Sequence, residues 1–99
     1  MMADVKIELS GAVLSDVAKI VIFAKNKSKE LATIEVKDSR PVGGGAVKID
    51  EKEVFVAVYY KGLLYNIKEK HYLDVRIIGD GTLFIAADGH GKSRVNFRI

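Results

Sequence analysis

Short runs of β-branched residues, about eight of them, follow one another along this chain with turn residues between, and almost no interval is long enough for a helix. A helix needs a continuous apolar stripe of period 3.6 over about three turns, whereas a strand needs only five or six residues pointing alternately to two faces. Val5 to Ser10 sets Val5, Ile7 and Leu9 against Lys6, Glu8 and Ser10, and Leu31 to Lys37 sets Ala32, Ile34 and Val36 against Thr33, Glu35 and Lys37. Val17 to Lys25 and Val54 to Tyr60 carry apolar residues on both faces, as strands covered on two sides do. A short helix around Ser15 to Lys19 is one alternative, since Ser15-Asp16 caps well, but Val-Ile-Val-Ile-Phe directly after it is poor helix material.

Between the runs lie Gly11 to Asp16, the polar Lys25 to Lys29, Asp38-Ser39-Arg40-Pro41, the Gly43-Gly44-Gly45 stretch, Asp50 to Glu53, and Asp88-Gly89-His90-Gly91. Pro41 has no amide proton for a ladder and ends its strand. His71 to Ile78 and Thr82 to Ala87 flank Gly79-Asp80-Gly81, whose glycines supply the positive backbone angles of a tight hairpin. A short strand at Val47 to Ile49 and a closing strand at Arg94 to Ile99, with Val95, Phe97 and Ile99 facing in, complete the set. Lys61 to Lys70 reads equally as a helical turn, with Leu63, Leu64 and Ile67 at helical spacing, and as a loop that packs its leucines.

Consecutive strands on short connections are expected to be antiparallel neighbours, and so many strands from one short chain pack as two facing sheets or as a small barrel. The reading adopted is a single all-β domain spanning residues 1–99, an antiparallel immunoglobulin-like sandwich of seven or eight short strands. Hydrophobic residues make up 48% of the chain and charged ones 29%, a globular balance that excludes disorder. With no cysteine, neither a disulfide framework nor a thiolate metal site exists, so packing alone holds the core. Glutamine, tryptophan and cysteine are absent while lysine and glutamate are frequent, the bias of heat-adapted proteins.

Ala18 to Ser28, reading Ala-Lys-Ile-Val-Ile-Phe-Ala-Lys-Asn-Lys-Ser, followed by Glu30 to Ser39 and Arg40-Pro41, resembles the second and third strands of immunoglobulin-like repeats in prokaryotic surface proteins, the CARDB-type group. In those repeats an apolar strand runs into Lys-Asn plus a small polar residue, and the next strand ends in Asp-Ser or Asp-Thr. The likeness covers about a quarter of the chain. It implies an immunoglobulin-like fold and extracellular adhesion or assembly. No apolar run is long enough for a secretory signal or a bilayer span. The doubled Met1-Met2 suits a start codon placed before a trimmed fragment, so a cytoplasmic protein and a trimmed extracellular domain both stay open.

Sites of chemistry are scarce. Gly89-His90-Gly91-Lys92-Ser93 invites comparison with a phosphate-binding loop, but the spacing demands glycine where Ala86 stands, and six residues after Ser93 leave no room for the following helix. His71 and His90 lack the spaced partners of a zinc site, and no serine sits in a nucleophile context or carboxylate in a paired-acid context. The reading is therefore a non-enzyme with no cofactor and no metal. A different chemistry is offered by Tyr59, Tyr60, Tyr65 and Tyr72 beside Lys61, Lys68 and Lys70, which suit a stacking and charge platform for single-stranded nucleic acid. Alternation instead gives Tyr60 to the face of Val54, Val56 and Val58, hence to the core. The formal charge of +3 is spread over both halves of the chain and argues only weakly for nucleic acid.

If each run crosses the domain once, the connections alternate between its ends. This gathers Gly11 to Asp16, Arg40 to Gly45, Lys61 to Lys70 and Asp88 to Lys92 at one pole, and the shorter turns at the other. Loops on a rigid sandwich are where binding usually resides. The candidate binding residues are Arg40, Gly43, Gly44, Gly45, Lys61, His90 and Lys92, with Arg40 and Lys92 as charged contacts and the glycine amides as donors to an anion or partner carbonyl. In the plainer reading the glycines only turn the chain. The short terminal strands Val5 to Ser10 and Arg94 to Ile99, bearing Lys6, Arg94 and Arg98, read as edges that resist stray pairing or serve self-association. The function expected is a binding or assembly module acting through protein contacts, such as a surface-filament component, with a small basic barrel for nucleic acid as the alternative.

Overall fold

The computed structural model describes residues 2–26, 29–61, 67–89 and 93–99, the side chains of residues 67–71 excepted. Nine strands are present among these residues: β1 (Ala3–Ser10), β2 (Val17–Ala24), β3 (Glu30–Lys37), β4 (Arg40–Pro41), β5 (Ala46–Ile49), β6 (Glu53–Lys61), β7 (Ile67–Arg76), β8 (Gly81–Ala86) and β9 (Arg94–Arg98). They form a four-stranded sheet in the order β5-β1-β8-β9 and a five-stranded sheet in the order β4-β3-β2-β6-β7. The fold is all-β, as the alternation requires. In place of the helical alternative around Ser15 to Lys19 there is one 3-10 turn, Leu14–Asp16, because the β-branched run from Val17 takes the extended form.

Both sheets turn an apolar face to one core. Val5, Ile7, Leu83 and Ile85 come from the four-stranded sheet and Ile20, Ile22, Val56 and Val58 from the five-stranded one, and they belong to a single buried cluster. Tyr60 is in that cluster, and its hydroxyl shares a buried hydrogen bond with the Ser93 hydroxyl, so the ring is core and not platform. Two open sheets, not a closed barrel, make the domain.

Several expectations about neighbours are corrected. The residues 79–81 turn does not close a hairpin: β7 pairs with β6 in one sheet, while β8 pairs with β1 and β9 in the other. Positive φ at Gly79 permits a sharp reversal but does not choose the partner. The choice is made by contacts distant in sequence. The Ile77 amide donates to the Lys52 carbonyl at 2.7 Å, the Asp4 amide donates to Asp80 Oδ1 at 2.7 Å, and Gly81 lies so close to Arg98 that a Cβ there would stand 2.2 Å from its carbonyl oxygen. The chain therefore crosses from one layer to the other.

That crossing makes β1 and β8 parallel, Val5 beside Gly81 through Ser10 beside Ala86, so the sheets are mainly but not wholly antiparallel. It also places β1 between β5 and β8, in the sheet interior and not at an edge as its charges suggested; β5 and β9 are the edges. Arg40-Pro41 does not simply end β3 but turns back on it, Lys37 opposite Arg40, through Asp38 and Ser39, both at positive φ. Ile99 lies beyond β9 and is 81% exposed, so it does not face in.

Candidate functional site

Among the described residues, Val13 and Asp16, Lys61, and Gly89, from three of the four connections expected at one pole, lie around one cavity. Residues 11–16 meet residue 87, with the Val13 amide donating to the Ala87 carbonyl at 3.0 Å, and Lys61 Nζ donates to the Ser15 carbonyl at 3.2 Å. At the opposite end Ile77 meets Lys52 and Asp4 meets Asp80. The expected site residues, however, are not brought to one point. Arg40 stands exposed on the edge strand β4, and β3 and β2 separate it from Lys61 on β6, a span of about 14 Å at ordinary strand spacing. Gly43 and Gly44 face open space, while Gly45 is buried against the Ile7 carbonyl, partway down β1. His90 and Lys92 lie outside the described residues, as do Tyr65 and the side chains of Lys68 and Lys70.

A second surface is better built. On β2 and β6 the residues that point away from the core are Lys19, Val21 and Phe23, and Glu53, Phe55, Ala57, Tyr59 and Lys61. Val21 pairs with Ala57 and Ala57 pairs with Tyr72 of β7. Although they lie on the outer face, Val21 is 1% exposed and Ala57 0%. Their cover is aromatic: Tyr59 and Phe55 flank Ala57 along the strand, and the rings of Phe23 and Tyr72, from the strands on either side, approach to 6.1 Å between centroids at a tilt of 51°. Rings in such a tilted pair attract beyond their area burial. Tyr72 keeps 37% of its surface exposed, so the roof of this patch is itself open to contact.

Charge rims the patch in both signs. Lys19 Nζ lies 4.9 Å from the Tyr59 ring centroid, a cation–π contact, with Glu35 as its cross-strand neighbour. At the other end Lys25 Nζ meets Glu53 Oε2 at 2.8 Å, and Asp74 and Arg76 are the cross-strand neighbours of Phe55 and Glu53. The hydrogen bond from Lys25, then its charge, holds the Glu53 carboxyl below the usual glutamate range, and the same contact raises Lys25 above the usual lysine value.

The outer face of the four-stranded sheet is different. It carries Lys6, Glu8, Thr82, Asn96, Arg98 and a single exposed aromatic, Phe84, with Arg98 5.7 Å from its ring centroid. Among the described residues no group of three or more potential metal ligands is clustered, and no helix is long and apolar enough to cross a membrane.

Sequence reasoning named Tyr59 and Tyr72 but missed Phe23 and Phe55. The signal was present: a strand apolar on both faces, one of them the core, has an apolar outer face to account for, and alternation from Glu53 to Lys61 writes that face out. Comparison of the chain with protein-family models, with curated proteins and with solved structures returns no match.

Proposed function

We propose that this domain is a non-catalytic assembly or binding module that works through protein–protein contacts on the outer face of its five-stranded sheet. The observation that carries the reading is the cluster of Phe23, Phe55, Tyr59 and Tyr72 around buried Ala57, bordered by Lys19, Glu35, Glu53 and Asp74. Interface hot spots are enriched in aromatic residues surrounded by polar groups that exclude water. Two facing, mainly antiparallel sheets are what the reading as an immunoglobulin-like module rests on. Its strand order is its own, because β2 and β3 form a hairpin within one sheet, where constant-type immunoglobulin domains place the second and third strands in opposite sheets.

A nucleic-acid platform is the second reading, favoured by Tyr59 and Tyr72 sharing a face with Lys19. Glu35, Glu53 and Asp74 interleave carboxylates along that face, and a phosphate backbone gains from cations, not from alternation. The two readings separate by photo-crosslinking. A photoreactive phenylalanine analogue is placed at Tyr72 or at Phe84, residues of equal 37% exposure on opposite outer faces, in cells producing the chain. Position 72 is expected to give polypeptide adducts that position 84 does not. Equal yields at the two positions, none at 72, or nuclease-sensitive adducts would defeat the protein-contact reading.

A further inference from the structure

The outward residues of β6 read Glu53, Phe55, Ala57, Tyr59, Lys61: acid, aromatic, small, aromatic, base. The order inverts about Ala57. A two-fold axis lying in the plane of this face and passing over Ala57 across the strands would set Phe55 of one copy against Tyr59 of another. The same operation sets Glu53 against Lys61, twice. On β2 it brings Lys19 over Phe23 with Val21 at the centre, and it brings Tyr72 of β7 against Tyr72.

Resting on the proposed use of this face, we infer that its occupant is a second copy of this chain, docked face to face as a two-fold symmetric pair. An isologous interface must be complementary to itself, and a strand whose charges reverse about its midpoint meets that condition. The buried floor suits the symmetry: Val21 and Ala57 are small and already sealed, so the rings can approach without a cavity beneath them. Among the described side chains, Lys25, Asp74 and Arg76 lie beside Glu53, and Asp16, Lys19, Glu35 and Lys37 toward Lys61, so both signs of charge stand at each end.

Size sets the strength. Three strands along the nine residues Glu53–Lys61 cover about 14 by 30 Å, near half of the 800 Å² or so per partner of a standard stable interface. The pair is therefore weak and concentration-dependent, with dissociation in the upper micromolar range, on the order of 100 μM.

The test is sedimentation equilibrium on the purified chain up to about 1 mM, with circular dichroism and melting temperature confirming each variant's fold. The parent is expected to show a reversible monomer–dimer equilibrium. Glu53→Lys and Lys61→Glu should each weaken it about tenfold or more, and Glu53→Lys/Lys61→Glu together should restore it to within about threefold. A parent that stays monomeric throughout, or a dimer indifferent to single reversal, or a double variant as weak as the singles, would overturn the inference. If the chain is monomeric yet Tyr72 still crosslinks to another polypeptide, the face works with a different partner. If neither occurs, the proposed function fails as well.

Discussion

Replacing Gly11 by alanine is expected to destabilise the domain by about 3–5 kcal/mol, a large share of the 5–15 kcal/mol typical of a whole domain. Two effects coincide there. The φ of +116° lies where a side chain is strained, and a Cβ would stand 2.3 Å from the carbonyl oxygen of Ala87 and 2.5 Å from its nitrogen. Ala87 has no room to give way, because its amide donates to the Ser10 carbonyl and its carbonyl accepts from the Val13 amide. This contact is where the chain leaves β1 and crosses to β2, so the substitution attacks the join between the layers. Gly43→Ala is the control: φ is also positive, +82°, but nothing stands within 4 Å of the added atom. It should cost only about 1–2 kcal/mol, the ordinary left-handed penalty. Urea unfolding of the two variants measures the difference, and equal midpoints would mean that Gly11 does not back onto Ala87.

Leu83→Ala is expected to lower stability by about 2–5 kcal/mol, which for a domain of this size lowers the melting temperature by roughly 10–20 °C or more. Leu83 is fully buried between Ile7 of β1 and Phe97 of β9 and belongs to the cluster fed by both sheets. Phe84, the next residue, points to the other face and is 37% exposed, so Phe84→Ala removes a larger side chain at a cost below about 1 kcal/mol. Thermal melts of the pair read the inside and outside of β8 directly. A costly Phe84→Ala with a harmless Leu83→Ala would place the core on the wrong side of this sheet.

Much of this architecture was legible from residue spacing, and the limits have physical causes. Side-chain alternation is local, so it located the strands and gave Tyr60 to the core. Partner choice is not local. Gly79 and Gly81 signalled a reversal, but whether β8 returns beside β7 or crosses to β1 depends on Asp80 reaching the Asp4 amide and on Gly81 fitting under Arg98, contacts no turn signal encodes. The same blindness made charged β1 look like an edge, although its Asp4, Lys6 and Glu8 only decorate a wet face. The loop-based site was reasoned from glycines and cations. The better-built surface lay in the two strands whose apolar residues exceeded what one core can absorb, and in Phe23 meeting Tyr72 across the intervening strand.

The claim that the aromatic face of the five-stranded sheet pairs with a second copy of the chain is tested most directly by amide NMR spectra of the purified chain over a hundredfold dilution. Shifts are predicted to move with concentration for Lys19, Val21, Phe23, Phe55, Ala57, Tyr59 and Tyr72, and to stay fixed for Lys6, Thr82, Phe84 and Asn96. Movement confined to the second group, or none anywhere, would contradict the account.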